Sequence, residues 1–191
     1  MTYLYFVGWV LVCWYATIPA FWLAIHPFTG YWRKRKRSPY LVLLPFWLLM
    51  VVAAMVATWP WYGVRLYETP WSWAPAAVLV IVAISMYRGA RGHISNQQVM
   101  GQPELAPGNH PQKLIATGMH GRIRHPLYVG HLSMLLGWTV GMGWITLYGL
   151  SGFAVLSGWA MICLEERELE KRFGEEYREY KKRVPALVPR F

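Results

Sequence analysis

The sequence predicts an all-α, polytopic membrane helix bundle of about five transmembrane helices, with a cytosolic cofactor-binding segment and a C-terminal amphipathic helix. Three observations carry this expectation. Hydrophobic residues make up 55% of the 191 positions and charged residues only 15%, against about 25% charged in an ordinary soluble domain. Long stretches carry no charge at all. The positive charges, which give a net +10, stand beside those stretches, where membrane topology explains them better than nucleic-acid binding does. One domain is expected over 1–191, with three N-terminal spans in 1–87 and the functional part in 88–191.

The elements follow in order. Residues 1–25 hold no charge, so the first span is expected near Tyr3–Ile25. The start has no basic stretch and no small-residue cleavage site, which argues against a cleavable signal peptide. The basic run Arg33–Arg37 reads as a topology determinant beside a helix end, with a lipid-headgroup site as the other reading. Residues 38–64 are again uncharged, with a second span near Tyr40–Trp59. The third is expected at Trp73–Tyr87. A polar segment, Arg88–His125, comes next. From Pro126 to Leu164 the only ionisable side chains besides tyrosine and cysteine are those of His131. At 1.5 Å per residue this is roughly 58 Å of helix, about two crossings, so a helical hairpin is expected with its break at Gly141-Met142-Gly143. Gly137 and Gly141 form a small-xxx-small pair suited to close helix packing.

The tail, Glu165–Phe191, is expected to be helical. Leu169, Phe173, Tyr177, Tyr180 and Val184 form one apolar stripe. Glu168 with Arg172, and Glu179 with Arg183, stand at i,i+4 in the favourable order. Pro185 and Pro189 end the helix. Such a helix lies on the membrane face or covers the polar segment.

Of the 19 Lys and Arg residues, all but Arg65 fall on one side of a five-span layout. That side is expected to be cytosolic, with the N-terminus outside. The opposite loop carries Trp59, Trp61, Tyr62, Tyr67, Trp71 and Trp73, rings that favour the headgroup zone. Cys13 and Cys163 lie in unrelated apolar stretches and read as small core residues. His26, His93, His110 and His131 show no HxxxH spacing, so no metal site is expected. Nor is a glycine-rich phosphate loop or a nucleophile elbow visible.

Chemistry is expected in the polar segment and at its junction with the fourth span, because polar groups beside membrane helices are costly and tend to mark sites. Pro126 suits the first turn of a helix. Arg124 and His125 then sit at a helix N-terminus, where a carboxylate or phosphate is favoured. Tyr128 stands one turn further in, with an aromatic face for an apolar or cationic group. Glu165 and Glu166 bring negative charge at the mouth of the fifth span. Residue types alone also allow a snorkelling Arg, an interfacial His and a belt Tyr.

Four blocks resemble the isoprenylcysteine carboxyl methyltransferase family, within the wider group that includes membrane phospholipid N-methyltransferases. They are Lys113-Leu114-Ile115-x-x-Gly118, Arg124-His125-Pro126-x-Tyr128-x-Gly130, Glu165-Glu166, and Phe173-Gly174-Glu175-Glu176-Tyr177-x-x-Tyr180-Lys181-Lys182-Arg183-Val184-Pro185. The match covers Gln112–Phe191, and it rests on the order and spacing of the blocks.

The resemblance implies S-adenosyl-L-methionine as methyl donor. It implies that Gln112, Lys113, Leu114 and Ile115 line the donor with backbone groups, with Gly118 and His120 following. It implies that His125, Pro126, Leu127 and Tyr128 hold its amino-acid end and sulfonium, and that Glu165, with Glu166 beside it, binds its hydroxyl or amino groups. Arg124, His125, Tyr128, Glu165 and Glu166 are the candidate catalytic residues. The acceptor implied is a lipid or prenyl-lipid-like small molecule that enters from the bilayer. The sequence departs from eukaryotic isoprenylcysteine enzymes at Leu156–Met161, where it lacks their arginine and glutamate. That departure removes support for a prenylcysteine acceptor and leaves the donor site as it is. The other readings are a phospholipid N-methyltransferase, an NADPH-dependent membrane reductase and a non-enzymatic membrane protein.

Overall fold

The computed structural model describes residues 2–35, 38–92, 94–110 and 113–188. Nine helices are found there: α1 (Thr2–Leu23), α2 (Thr29–Lys34), α3 (Tyr40–Thr58), α4 (Trp73–Arg91), α5 (Asn96–Val99), α6 (Gln102–Leu105), α7 (Pro126–Met142), α8 (Ile145–Phe173) and α9 (Glu175–Arg183). Among the described residues there is no β-strand. Four helical stretches are long and apolar enough to cross a membrane: Tyr3–Lys34, Tyr40–Trp61, Pro70–Arg91 and Ile145–Phe173. The fold is thus that of an all-α integral membrane bundle. The 17-residue α7, where a further span was expected, is not among these four and packs in the bundle against α4.

Two tight packings organise the bundle. α1 lies along α8, and α4 lies along α7. The second is close because of the glycine pair. A Cβ on Gly137 would stand 3.2 Å from the Ala76 carbonyl, and one on Gly141 would stand 2.6 Å from the Trp73 ring. The expected small-xxx-small packing is therefore present. α3 packs on α1 and leaves Leu41, Val42, Phe46, Leu49, Val52 and Val56 exposed, which is a lipid-facing surface.

Several polar groups inside the bundle are satisfied by neighbouring helices, as a lipid environment favours. Trp9 donates to Thr58 Oγ1 at 3.0 Å and Trp47 to Thr17 Oγ1 at 3.0 Å. The Thr139 and Ser151 hydroxyls pair at 2.9 Å. The hairpin break falls where expected, with Gly143 capping α7. Leu66 N–H donates to Gly143 and Ile145 N–H to Val64, so the aromatic loop and the hairpin turn share one end of the bundle. The opposite end gathers α2, α5, α6, the polar segment and α9.

Two tail expectations are corrected. The apolar stripe does not lie on one helix. α8 continues to Phe173 and breaks at Gly174, whose φ of +58° and ψ of −125° suit glycine alone. α9 then turns back over the polar segment. Glu179 and Arg183 form no side-chain pair either. Glu179 accepts from Lys182 at 2.6 Å, and Arg183 reaches only the Glu179 carbonyl. The Glu168–Arg172 pair is present at 3.1 Å.

Candidate functional site

The end opposite the aromatic loop contains a cavity of about 490 Å³. It lies between α1, the α5–α6 loop, the start of α7, the end of α8, and α9. Lys113, Leu114, Ile115, His120, Arg124, His125, Pro126, Leu127, Tyr128 and Glu165 all line it. Gly118 and Glu166 are not on its wall. Gly118 instead opens a 3-10 turn, Gly118–Gly121. Gln112, His93 and Pro189 lie outside the described residues.

Pro126 starts α7 as expected, because its missing N–H costs nothing in a first turn. His125 precedes it, 5% exposed. Its ring stacks on that of Tyr128, with centroids 5.4 Å apart and planes 13° apart. The Tyr128 hydroxyl donates to Glu165 Oε2 at 2.7 Å. His125 Nδ1 stands 3.5 Å from the same oxygen, and Nε2 lies 3.1 Å from Glu166 Oε1. The two glutamates thus bracket one imidazole. They differ in where they face: Glu165 lines the cavity, and Glu166 turns behind it.

Arg124 lines the cavity and is also tied into the framework behind it. Its Nε donates to Glu166 at 2.9 Å, a second guanidinium nitrogen joins the same carboxylate, and Nη1 reaches the Lys181 and Val184 carbonyls. Lys181 Nζ adds a contact to Glu166 at 3.0 Å. The N–H groups of Arg124 and His125 donate to Pro185 and Ala186. The anion-binding groups expected at this helix start are therefore already partnered by α8 and the C-terminal segment.

α9 closes one side. Tyr177, Tyr180 and Val184 pack with Leu114, Ala116, Leu169 and Phe173, which is the stripe expected from sequence. Tyr180 donates to the His120 carbonyl at 2.6 Å, and burial pushes its phenol up to about 12. Burial pushes Tyr177 up as well. Tyr177 lines the cavity, and its hydroxyl is buried without a hydrogen-bond partner. Lys181 is held above the usual ammonium range by Glu170 first, then Glu166.

A second polar group, which spacing did not indicate, forms the other wall. His26, 5% exposed, faces the Glu104 carboxylate through Nδ1 at 2.9 and 3.1 Å. Arg33 donates to the Glu104 carbonyl at 2.7 Å and to Glu168 at 3.3 Å. Arg33 thus also ties α6 to α8. Seventy-eight positions separate His26 from Glu104, so no local pattern linked them.

A further, apolar cavity of about 330 Å³ lies between α1, α7 and α8, lined by Ile18, Leu132, Leu136, Val155, Trp159 and others. Ile18, Tyr128 and His131 line both cavities. His131 is held by the Leu127 carbonyl at 2.6 Å.

The family described as a protein of unknown function (DUF1295) matches residues 28–184, and the chain belongs to it. It is also similar to named proteins. Protein-S-isoprenylcysteine O-methyltransferase of Schizosaccharomyces pombe is 30% identical over 114 residues, 59% of this chain and 48% of that one. Methanethiol S-methyltransferase 1 of Bradyrhizobium diazoefficiens is 36% identical over 70 residues, 35% of this chain and 23% of that one. A Delta(14)-sterol reductase of Mus musculus is 31% identical over 129 residues, 60% of this chain and 30% of that one. The matches thus span less than half the length of each relative. The resemblance stated from the four sequence blocks holds at this level, among relatives named as methyltransferases and a reductase. No solved structure matches.

Proposed function

We propose that this DUF1295 member is an integral membrane methyltransferase that takes its methyl group from S-adenosyl-L-methionine and passes it to a lipid-like acceptor from the bilayer. The observation that carries this reading is the meeting of a mixed polar cavity and an apolar one at Tyr128 and His131. A polar, charged donor and an apolar acceptor need such neighbouring compartments.

The residues present fit the donor. The cavity volume of about 490 Å³ falls in the range of small-molecule sites, about 300–1,000 Å³. Tyr128 offers a ring face and Glu165 a carboxylate, both favourable to a cationic centre. Arg124 is neutralised by Glu166, so it does not repel that centre. Tyr177 adds a further aromatic side chain to the wall. When bound, the donor supplies a methyl group already activated by a sulfonium.

The chain's work is then positioning and water exclusion. His125, Pro126, Leu127 and Tyr128 would flank the donor's amino-acid end and sulfonium. Glu165 would hold its hydroxyl or amino groups. Gln112 to Ile115, with His120, would meet its remaining polar edge. Arg124 and Glu166 would position His125. The charge distribution supports a cytosolic cavity and an external N-terminus. We treat 1–191 as one functional unit, since Trp22, His26 and Tyr40 from the N-terminal half also line the cavity.

Calorimetric titration of the detergent-solubilised protein with S-adenosyl-L-methionine tests the reading. His125→Ala and Glu165→Ala are each expected to weaken donor affinity about tenfold or more, the usual loss of a charge-assisted contact. Unchanged affinity in both variants overturns the site. The second reading, an NADPH-dependent reductase, rests on the sterol reductase relative. Saturable NADPH binding with no binding of the methyl donor would establish it in place of the first. A phospholipid N-methyltransferase would bind the same donor and label an amine headgroup. Failure to bind either cofactor would leave a non-enzymatic membrane protein.

A further inference from the structure

His131 sits where the two cavities meet, and sequence spacing left it without a role. It lines both, together with Ile18 and Tyr128. Tyr128 lies three positions before it on α7, which puts the two side chains on one helix face. A titratable side chain inside a membrane bundle is costly, and such groups tend to mark sites.

The imidazole is held in one state. Its Nδ1 lies 2.6 Å from the Leu127 carbonyl. A carbonyl only accepts, so Nδ1 carries the proton and the neutral ring keeps a lone pair on Nε2. The rings of Tyr15 and Tyr87 flank it, with centroids 5.5 and 5.3 Å away, and hold its plane. Nε2 has no hydrogen-bond partner among the described residues, yet it is not one of the buried polar atoms shut off without a bond. His131 as a whole is half-buried, so Nε2 stays within reach of a ligand. Tyr128, the other polar side chain at the junction, already donates its hydroxyl to Glu165.

The apolar cavity offers no counter-ion. Among the described residues that line it there is no Asp, Glu, Lys or Arg, and its polar side chains besides His131 are Tyr15, Tyr128, Ser133 and Trp159. Arg124 and Arg172 stand on the donor side, paired with Glu166 and Glu168, and Lys113 there is exposed. An ion brought into an apolar wall without a partner is strongly penalised. A carboxylate would also turn its own lone pairs towards that of Nε2. An ammonium would have no lone pair with which to attack.

We propose that His131 binds the methyl acceptor, and that it selects an uncharged group whose reacting atom carries a hydrogen, a hydroxyl above all, on a hydrocarbon body. This rests on the methyl-transfer reading above and names the substrate class of that site. A hydroxyl donates to Nε2 and keeps a lone pair for the methyl carbon, whereas S–H is a weak donor. The step balances as follows. The acceptor oxygen bonds to the donor's methyl carbon as the carbon–sulfur bond breaks, and the electron pair of that bond stays on the donor sulfur. The hydroxyl proton becomes more acidic as the new bond forms. It passes along the hydrogen bond to Nε2, and then to water once the product leaves.

Binding to the full chain in detergent, without donor, tests the site. Dodecanol and dodecanoate have the same chain length and are compared at a pH where the carboxylate is ionised, each corrected for its partition into empty micelles. Dodecanol is expected to bind about tenfold more tightly or better, the scale of one hydrogen bond gained against an unpaired charge. Equal or tighter binding of dodecanoate overturns the proposal, and this arm needs no variant. His131→Leu is expected to weaken dodecanol binding about tenfold, while His131→Gln, whose amide oxygen accepts the same bond, keeps most of it. Equal losses in the two variants overturn the hydrogen-bonding role. Nitrogen NMR of labelled histidine gives a readout that packing alone would not move: the His131 Nε2 signal is expected to shift on addition of dodecanol, and an unmoved signal overturns the assignment. Dodecanol held through His131 in a protein that binds no methyl donor keeps the pocket and removes the methyl-transfer reading. Donor binding together with a preference for dodecanoate does the reverse.

Discussion

At the residue scale the site divides by what each side chain faces. Glu165 and Glu166 are neighbours in sequence with opposite duties. Glu165 points into the cavity beside Tyr128. Glu166, 8% exposed, answers Arg124, His125 and Lys181. Removing one partner from such a buried pair leaves an uncompensated charge and costs about 3–5 kcal/mol. Arg124→Ala is therefore expected to lower thermal stability severely, whereas Glu165→Gln should leave it nearly unchanged and weaken donor binding. Melting curves beside donor titrations separate the two, and equal melting temperatures for both variants would refute the division. The sequence brought these residues together because they lie in two compact blocks. It did not say that Arg124 is internally neutralised, since that depends on α8 and the chain after α9 meeting it.

At the scale of elements, the C-terminal stripe was legible and its backbone was not. Leu169, Phe173, Tyr177, Tyr180 and Val184 do share one packed face, since burial selects the apolar positions whichever way the axis runs. The break at Gly174 was missed because steps of three and four survive a change of direction between two helices. Its backbone angles, φ +58° and ψ −125°, predict that Gly174→Ala costs about 1–3 kcal/mol. The variant should loosen α9, seen as faster proteolysis after residue 173. Loss of the Tyr180 bond to His120 should cost about 1 kcal/mol in Tyr180→Phe. Tyr180 also gives a pH signature. Its folded value, about 12, lies above the ordinary tyrosine value, about 10. The folded state therefore holds the proton longer, and this stability is complete below pH ~10 and lost as pH rises towards ~12. The fall in melting temperature over that window should be shallower in Tyr180→Phe. An identical slope in the two proteins would contradict this origin.

For the whole molecule, the two ends of the bundle are chemically unlike. One gathers the aromatic loop and the hairpin turn, and the other holds the cavity with nearly all the cationic residues. This polarity predicts the sidedness. A cysteine placed at Glu68 should react with a membrane-impermeant reagent in intact cells, and one at the exposed Asn109 only after permeabilisation. The reverse pattern would invert the proposed topology.

The sequence by itself determined the bundle, its span boundaries to within a few residues, and one wall of the cavity. Charge-free runs, a proline that opens α7 and glycines that let α4 and α7 touch are local signals, and each acts through neighbours along the chain. Only the tertiary structure decided the opposite wall. Hydrophobic packing of α1 against α8 brings His26 to the cavity end of the bundle, and α6 folds back to set Glu104 against it. No periodicity records a meeting of groups so far apart in sequence. The same long-range packing decided which charges face the cavity and which are neutralised behind it, because partnership inside a membrane protein depends on which helices touch.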